Sequence, residues 1–236
     1  MTRRALLGPA VLLLVAGLAG LGAWQLQRRA WKLELIARVE ARLAAAPVAA
    51  PGPPGWPGLS VARDEYARVR ATGSFRHDRE VAVLAVTERG PGYWIVTPLD
   101  TPDFAVLVNR GFGPQDRRDP ATRRAGRTPG PVTVQGLLRF SEPGGGFLRS
   151  NDPAGGRWYS RDVAAIAAAQ HLGPVAPYFI DADATPNPGG LPAGGLTVVR
   201  FRNPHLSYAL TWFALAGGLL ILTFYATRHL ARHEGA

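Results

Sequence analysis

Two runs free of charged side chains, residues 5–27 and 203–227, bracket the chain and limit what it can fold into. Each is longer than the roughly 20 residues that cross a ~30 Å hydrocarbon core at ~1.5 Å per residue, so the sequence predicts a transmembrane helix over each. "TRRALL" at the start resembles a twin-arginine leader, but so long an apolar core favours an uncleaved anchor over a cleaved signal peptide. Two spans return both tails to one side. The short tails, 1–4 and 228–236, carry Arg3, Arg4, Arg228 and Arg232, which favour the cytoplasm; long loops translocate largely regardless of their charge. The middle region is therefore expected outside the cytoplasm. The net charge of +10 is almost all arginine, Lys32 being the single lysine. With two spans present, membrane lipid, acidic partner faces or an anionic ligand are better targets for it than nucleic acid. There is no cysteine, which excludes disulfides and thiolate-bound metals. The Ala, Gly, Pro and Arg bias offers no serine-rich transit peptide, so a bacterial inner membrane fits better than an organelle.

Between the spans the pattern changes twice. "WQLQRRAWKLELIARVEARLAAA" lacks Gly and Pro and keeps helical spacing, predicting that the first helix continues as a juxtamembrane extension over 28–46. "PVAAPGPPGWPG" follows as a Pro/Gly linker over 47–59. From 60 to 202, "YARVRATG", "VAVLAV", "GYWIVTPL", "FAVLVNRG", "VTVQGLLR", "PYFID" and "LTVVRF" are short alternating or apolar runs bounded by turn residues, predicting strands. "SRDVAAIAAAQHLGP" predicts one soluble helix, capped by Ser160 and ended by Gly173-Pro174. The expected fold is a membrane protein whose two transmembrane helices flank a soluble α+β domain, mainly antiparallel sheet or a partly open barrel.

Motifs for catalysis are missing. There is no H-E-x-x-H, no G-x-S-x-G and no Walker A loop, so no enzyme is expected and no catalytic residue is assigned. Asp181 and Asp183 alternate at a strand end, where solvated carboxylates are common. Arg117, Arg118, Arg123, Arg124 and Arg127 make either a solvated loop or a docking patch for an acidic surface. Arg110, at the rim of an apolar strand, either pairs with a carboxylate such as Asp181 or faces a partner.

His205 carries the most chemical information. Asn203 is a good N-cap and Pro204 suits the first helical position, which puts His205 in the first turn at the outer membrane surface. The helix dipole there disfavours imidazolium, and neutral imidazole is the form that ligates metals. Tyr208 and Trp212 share its face, and Arg200 and Arg202 are close in sequence. This surface complements haem, with its iron, flat ring and two carboxylates. Spacing leaves a second reading open, the ordinary aromatic belt of a membrane interface. Trp24, Arg28 and Trp31 share a face at the same membrane level on the first helix, either completing a site with His205 or snorkelling to the surface.

"LGAWQLQRRAWK", "EYARVRATGSF", "VTPL", "VLVNRGFGP" and "NPHLSYALTWF" occur in that order, and together they resemble the Surfeit locus protein 1 family of cytochrome c oxidase assembly factors. Phe112 departs from the pattern, standing where the family usually has tryptophan after "NRG"; the Pro-rich linker and the arginine loop are also particular to this chain. The resemblance implies a protein that aids haem a delivery to the main subunit of the oxidase, subunit I, with haem a synthase as a further partner and haem a as a transient ligand. It implies His205 as the residue at the haem iron. The "WQ" and "NRG" motifs map to Trp24 and Gln25 and to Asn109, Arg110 and Gly111, the last three taken as partner-binding. A periplasmic central domain is implied as well. A cofactor-free scaffold for oxidase subunits is the alternative.

Overall fold

A computed structural model describes residues 3–146, 148–197, 199 and 201–233 of the chain, with side chains placed from residue 8 to residue 229. It divides into two units, one of the terminal segments 1–38 and 200–236 and one of residues 39–199. The first holds two helices long and apolar enough to cross a membrane. α1 runs unbroken over Arg3–Ala44, and the other (α4 below) runs over His205–His233. Their faces are dominated by exposed Leu, Ile, Phe and Tyr, among them Leu12, Leu13, Leu222 and Tyr225, the surface expected of helices solvated by lipid.

The second unit is a small barrel. Its strands are β1 (Val48–Ala49), β2 (Arg68–Phe75), β3 (Val81–Thr87), β4 (Gly90–Asp100), β5 (Ala105–Pro114), β6 (Pro131–Phe140) and β7 (Val175–Ala182). They pair in the order β1-β2-β6-β7-β5-β4-β3, and a second pairing of β2 with β4, at Ser74–Asp100 and Phe75–Leu99, closes five strands into a ring. The pairs are antiparallel except β1–β2 and β5–β7. The helices are a single turn, α2 (Val61–Asp64), then α3 (Val163–Ala169) and α4 (His205–His233). Strand periodicity sorts the core into two layers. Val69, Ala71, Leu99, Val106, Val108, Leu138, Tyr178 and Ile180 fill the barrel. Leu107 and Phe179, one residue out of phase, pack outside it with Val163 and Ile166 of α3 and with Trp158. β5 is thus buried on both faces, which explains why "FAVLVNRG" is nearly continuous apolar sequence rather than alternating.

Four details differ from expectation. Segment 47–59 is not a free spacer: β1 pairs with β2, and both the Tyr178 hydroxyl, at 2.7 Å, and the Trp56 indole N–H, at 2.9 Å, donate to the Pro51 carbonyl. α3 is capped by Asp162, whose Oδ1 accepts from the Ala165 N–H at 3.1 Å; Ser160 instead turns to Gly145 and Asn151. "LTVVRF" has no strand among its described residues, and Val198 and Arg200 lie outside them. Asp181 is not solvated but 2% exposed.

Candidate functional site

Within the two-helix unit, α1 and α4 meet along one face of each. Gly22 lies against the Phe213 ring, so close that even a Cβ would come within 2.6 Å of it. Three residues on, Gln25 reaches His205: Gln25 Oε1 and His205 Nδ1 are 2.7 Å apart. Lys32 sets its ammonium 5.4 Å from the centre of the Phe201 ring. Gly22, Gln25 and Lys32 are spaced by three and seven, so they form one stripe. Trp24 lies about 100° around the helix from Gln25. It is 50% exposed, Trp31 is 48% exposed, and Arg28 stacks over Trp31 at 4.7 Å. Neither Trp24 nor Arg28 makes a hydrogen bond, ion pair or ring contact with α4 among the described residues.

An amide oxygen only accepts, so His205 Nδ1 carries the proton, and in the neutral ring the lone pair is on Nε2. The described residues give Nε2 no hydrogen-bond partner. The helix begins one residue later than the sequence suggests. The Tyr208 N–H donates to the Pro204 carbonyl at 3.3 Å, which makes Pro204 the capping position and His205 the first helical residue. Asn203 therefore caps nothing, and its Oδ1 is buried without a donor among the described residues. Tyr208 is 54% exposed, Trp212 is partly buried and Arg202 is exposed. Arg200 falls outside the described residues. Sequence reasoning placed Gln25 in a motif but gave it no role. Its signal was an uncharged polar side chain at the end of an apolar run, beside the small Gly22, as at close helix contacts in membranes.

In the barrel unit, Asn109, Arg110 and Gly111 are buried in the middle of β5, not at the rim of the sheet. Asn109 donates to Asp181 Oδ1 at 2.7 Å, while Arg139 at 2.9 Å and Arg161 at 3.0 Å complete the shell of that carboxylate. Burial works against the Arg139 charge, but Asp181 and Glu65 overcome it and hold its pKa above the ordinary value. Arg110 does not pair with Asp181, because Asn109 and Arg110 point to opposite faces of the strand. Its guanidinium lies 4.7 Å from the Phe75 ring centre, donates to Asn187 Oδ1 at 2.9 Å and to the Gly126 carbonyl, and stands 4.0 Å from Glu80. Glu80 in turn takes both terminal nitrogens of Arg123, at 2.9 and 3.0 Å. Arg123 is thus not on a solvated loop but buried at 5% exposure, while its neighbours Arg117, Arg118 and Arg124 stay exposed. Burial lowers the Arg110 pKa to about 10 and raises that of Glu80 despite both arginines. Burial also lowers His77, which accepts from Arg110 through Nδ1 and donates to the Thr128 carbonyl through Nε2. Among the described residues no cluster of three or more His, Cys, Asp or Glu could hold a bare metal ion.

The SURF1 family model matches residues 12–217. Surfeit locus protein 1 of Mus musculus is 37% identical over 231 residues, covering 91% of this chain and 73% of the relative. Surfeit locus protein 1 of Homo sapiens is 37% identical, with 91% and 75% covered, and the SURF1-like protein of Drosophila melanogaster is 35% identical, with 92% and 76% covered. A match across both terminal helices and the barrel between them leaves one conclusion: this chain belongs to the SURF1 family.

Proposed function

We propose that the protein assists assembly of cytochrome c oxidase by receiving haem a at His205 and passing it to the main oxidase subunit. The observation that carries this reading is the bond between Gln25 and His205. A second residue holds the imidazole by one nitrogen and leaves the other as a lone pair, the arrangement of a histidine prepared to ligate a metal. Haem a, when bound, supplies an iron that takes one imidazole nitrogen, a flat apolar ring and two carboxylates. The residues present fit such a group. His205 offers the nitrogen; Tyr208 and Trp212, on the same helix face, offer apolar surface; Arg202 is an exposed cation three residues before the first helical residue. Trp24 and Arg28 lie on a neighbouring face of α1, free to meet a ligand or lipid rather than to complete the His205 bond. The protein does no chemistry of its own in this reading. It sits in a bacterial inner membrane with both termini in the cytoplasm and the barrel in the periplasm, taking haem a from its synthase.

The test is His205→Ala in cells that make haem a. Haem per protein and oxidase activity should both fall while the amount of membrane-inserted protein stays the same. If haem and oxidase activity match the wild type, His205 is an interfacial residue and a cofactor-free scaffold for oxidase subunits becomes the better account.

A further inference from the structure

A cavity of about 390 Å³ opens at the end of the barrel where β2 and β7 finish and β6 begins. That is within the size range of small-molecule sites, roughly 300–1,000 Å³. Its apolar wall continues the barrel core through Phe75, Val108, Val132, Val134 and Ala182. Thr133, Gln135 and Thr185, also on the wall, are exposed, so the cavity reaches solvent. Arg110 closes its inner side. After Val106 and Val108 it is the next inward-facing position of β5, and the residue is 2% exposed.

The charge at this point does not balance. Arg110 and Arg123 are both buried, and among the described residues the one buried carboxylate near them, Glu80, is taken in two bonds by Arg123 and stands 4.0 Å from Arg110. The other contacts of Arg110 are neutral: a carbonyl, an amide oxygen, an imidazole nitrogen and the face of the Phe75 ring. Its Nε–H is buried and finds no acceptor among the described residues. A buried cation without a full partner is costly, and a ligand carboxylate offsets that cost. Asp183, the acidic residue among those lining the cavity, accepts from the Thr185 N–H at 3.0 Å and is partly exposed, so water screens its charge.

We propose that this cavity binds a small carboxylate with an apolar body, the carboxylate set against Arg110 and the body against Val132 and Val134. The site lies within the barrel unit and is independent of His205.

The test is equilibrium dialysis of radiolabelled phenylacetate against the full chain in lipid nanodiscs, with empty nanodiscs subtracted and phenylacetamide as the neutral isostere. Saturable binding of the acid is expected, at least about ten-fold tighter than the amide, as a charged hydrogen bond exceeds a neutral one. Arg110→Gln removes the cation, and Val132→Phe fills the cavity from its apolar wall while keeping Arg110; both should abolish the binding. Should Arg110→Gln fail to fold, Val132→Phe decides. Equal affinity for acid and amide, no saturable binding of the acid at millimolar concentration, or full binding by a folded Val132→Phe protein would each overturn the proposal.

Discussion

Asn109 and Asp181 are direct partners in the parallel pairing of β5 with β7, and the Asn109 amide donates to the Asp181 carboxylate at 2.7 Å. This bond joins the "NRG" segment of β5 to the charge network outside the barrel, where Asp181 holds Arg139 and Arg161. Removing the acid takes one carboxylate from each of two largely buried guanidiniums, leaving Arg139 with Glu65 and Arg161 with Glu142. Asp181→Ala should cost about 1.5–3 kcal/mol, because each arginine keeps a second carboxylate, and Asn109→Ala about 1–3 kcal/mol. Thermal or denaturant unfolding of the purified chain measures both; equal, small losses would show that the network is not stabilising.

Gly111 has φ +129, and a Cβ there would collide with the Ala193 carbonyl that receives the Phe112 N–H at 2.8 Å. Gly111→Ala should lose about 1–3 kcal/mol from the backbone alone, with the collision added to it. Gly130, with φ +74 but open space around it, is the control: there alanine should cost only the backbone part.

His77 sets a pH dependence. Burial first, then the charges of Arg110 and Arg127, hold its pKa below the ordinary 6.5, opposed by the Thr128 carbonyl and Asp78. The unfolded chain therefore binds a proton at a higher pH than the folded one. The stability tied to neutral His77 is fully present above about pH 6.5 and is lost as pH falls from there through the depressed folded value. Melting temperature should fall between neutral and mildly acidic pH, and His77→Gln should flatten that fall. An unchanged slope in the variant would remove His77 from the account.

The α1–α4 contact can be read by cross-linking, since the chain has no cysteine to interfere. Gln25→Cys with His205→Cys should join readily through a short thiol-bridging reagent in membranes. Trp24→Cys with His205→Cys should join poorly. Adding Gly22→Leu, which pushes against Phe213, should reduce the first yield several-fold. Equal yields from positions 24 and 25 would mean that a different face of α1 meets α4.

Much of the fold was legible because its signals are local. Alternation along "YARVRATG" marks β2, and the unbroken apolar run before "NRG" marks a strand buried on both sides. Closure of the barrel was not legible, since it rests on two residue pairs between β2 and β4 with nothing local to announce them. The Pro/Gly composition of 47–59 suggests a spacer, and only the distant Tyr178 shows that it is tied down. Ser160 and Asp162 are both good caps, and tertiary contacts chose between them. The site at His205 was half legible. Spacing shows that Trp24, Arg28 and Trp31 share a face, but not that this face meets α4; the glycine at 22 is what brings Gln25 there instead. The burial of Arg110 and Asp181 was hidden because a charged residue that follows an apolar run has the same sequence pattern whether solvated or paired.

The account stands or falls on His205 as a haem ligand. The direct measurement is the absorption spectrum of the protein purified from cells able to make haem a, wild type beside His205→Ala and Gln25→Leu. The wild type should show a Soret band. His205→Ala should lose it or shift it, and Gln25→Leu, with His205 present but unheld, should show a weakened or shifted band at unchanged protein yield. A wild-type protein with no Soret band, or an His205→Ala protein whose band matches it in position and haem per protein, would contradict the account.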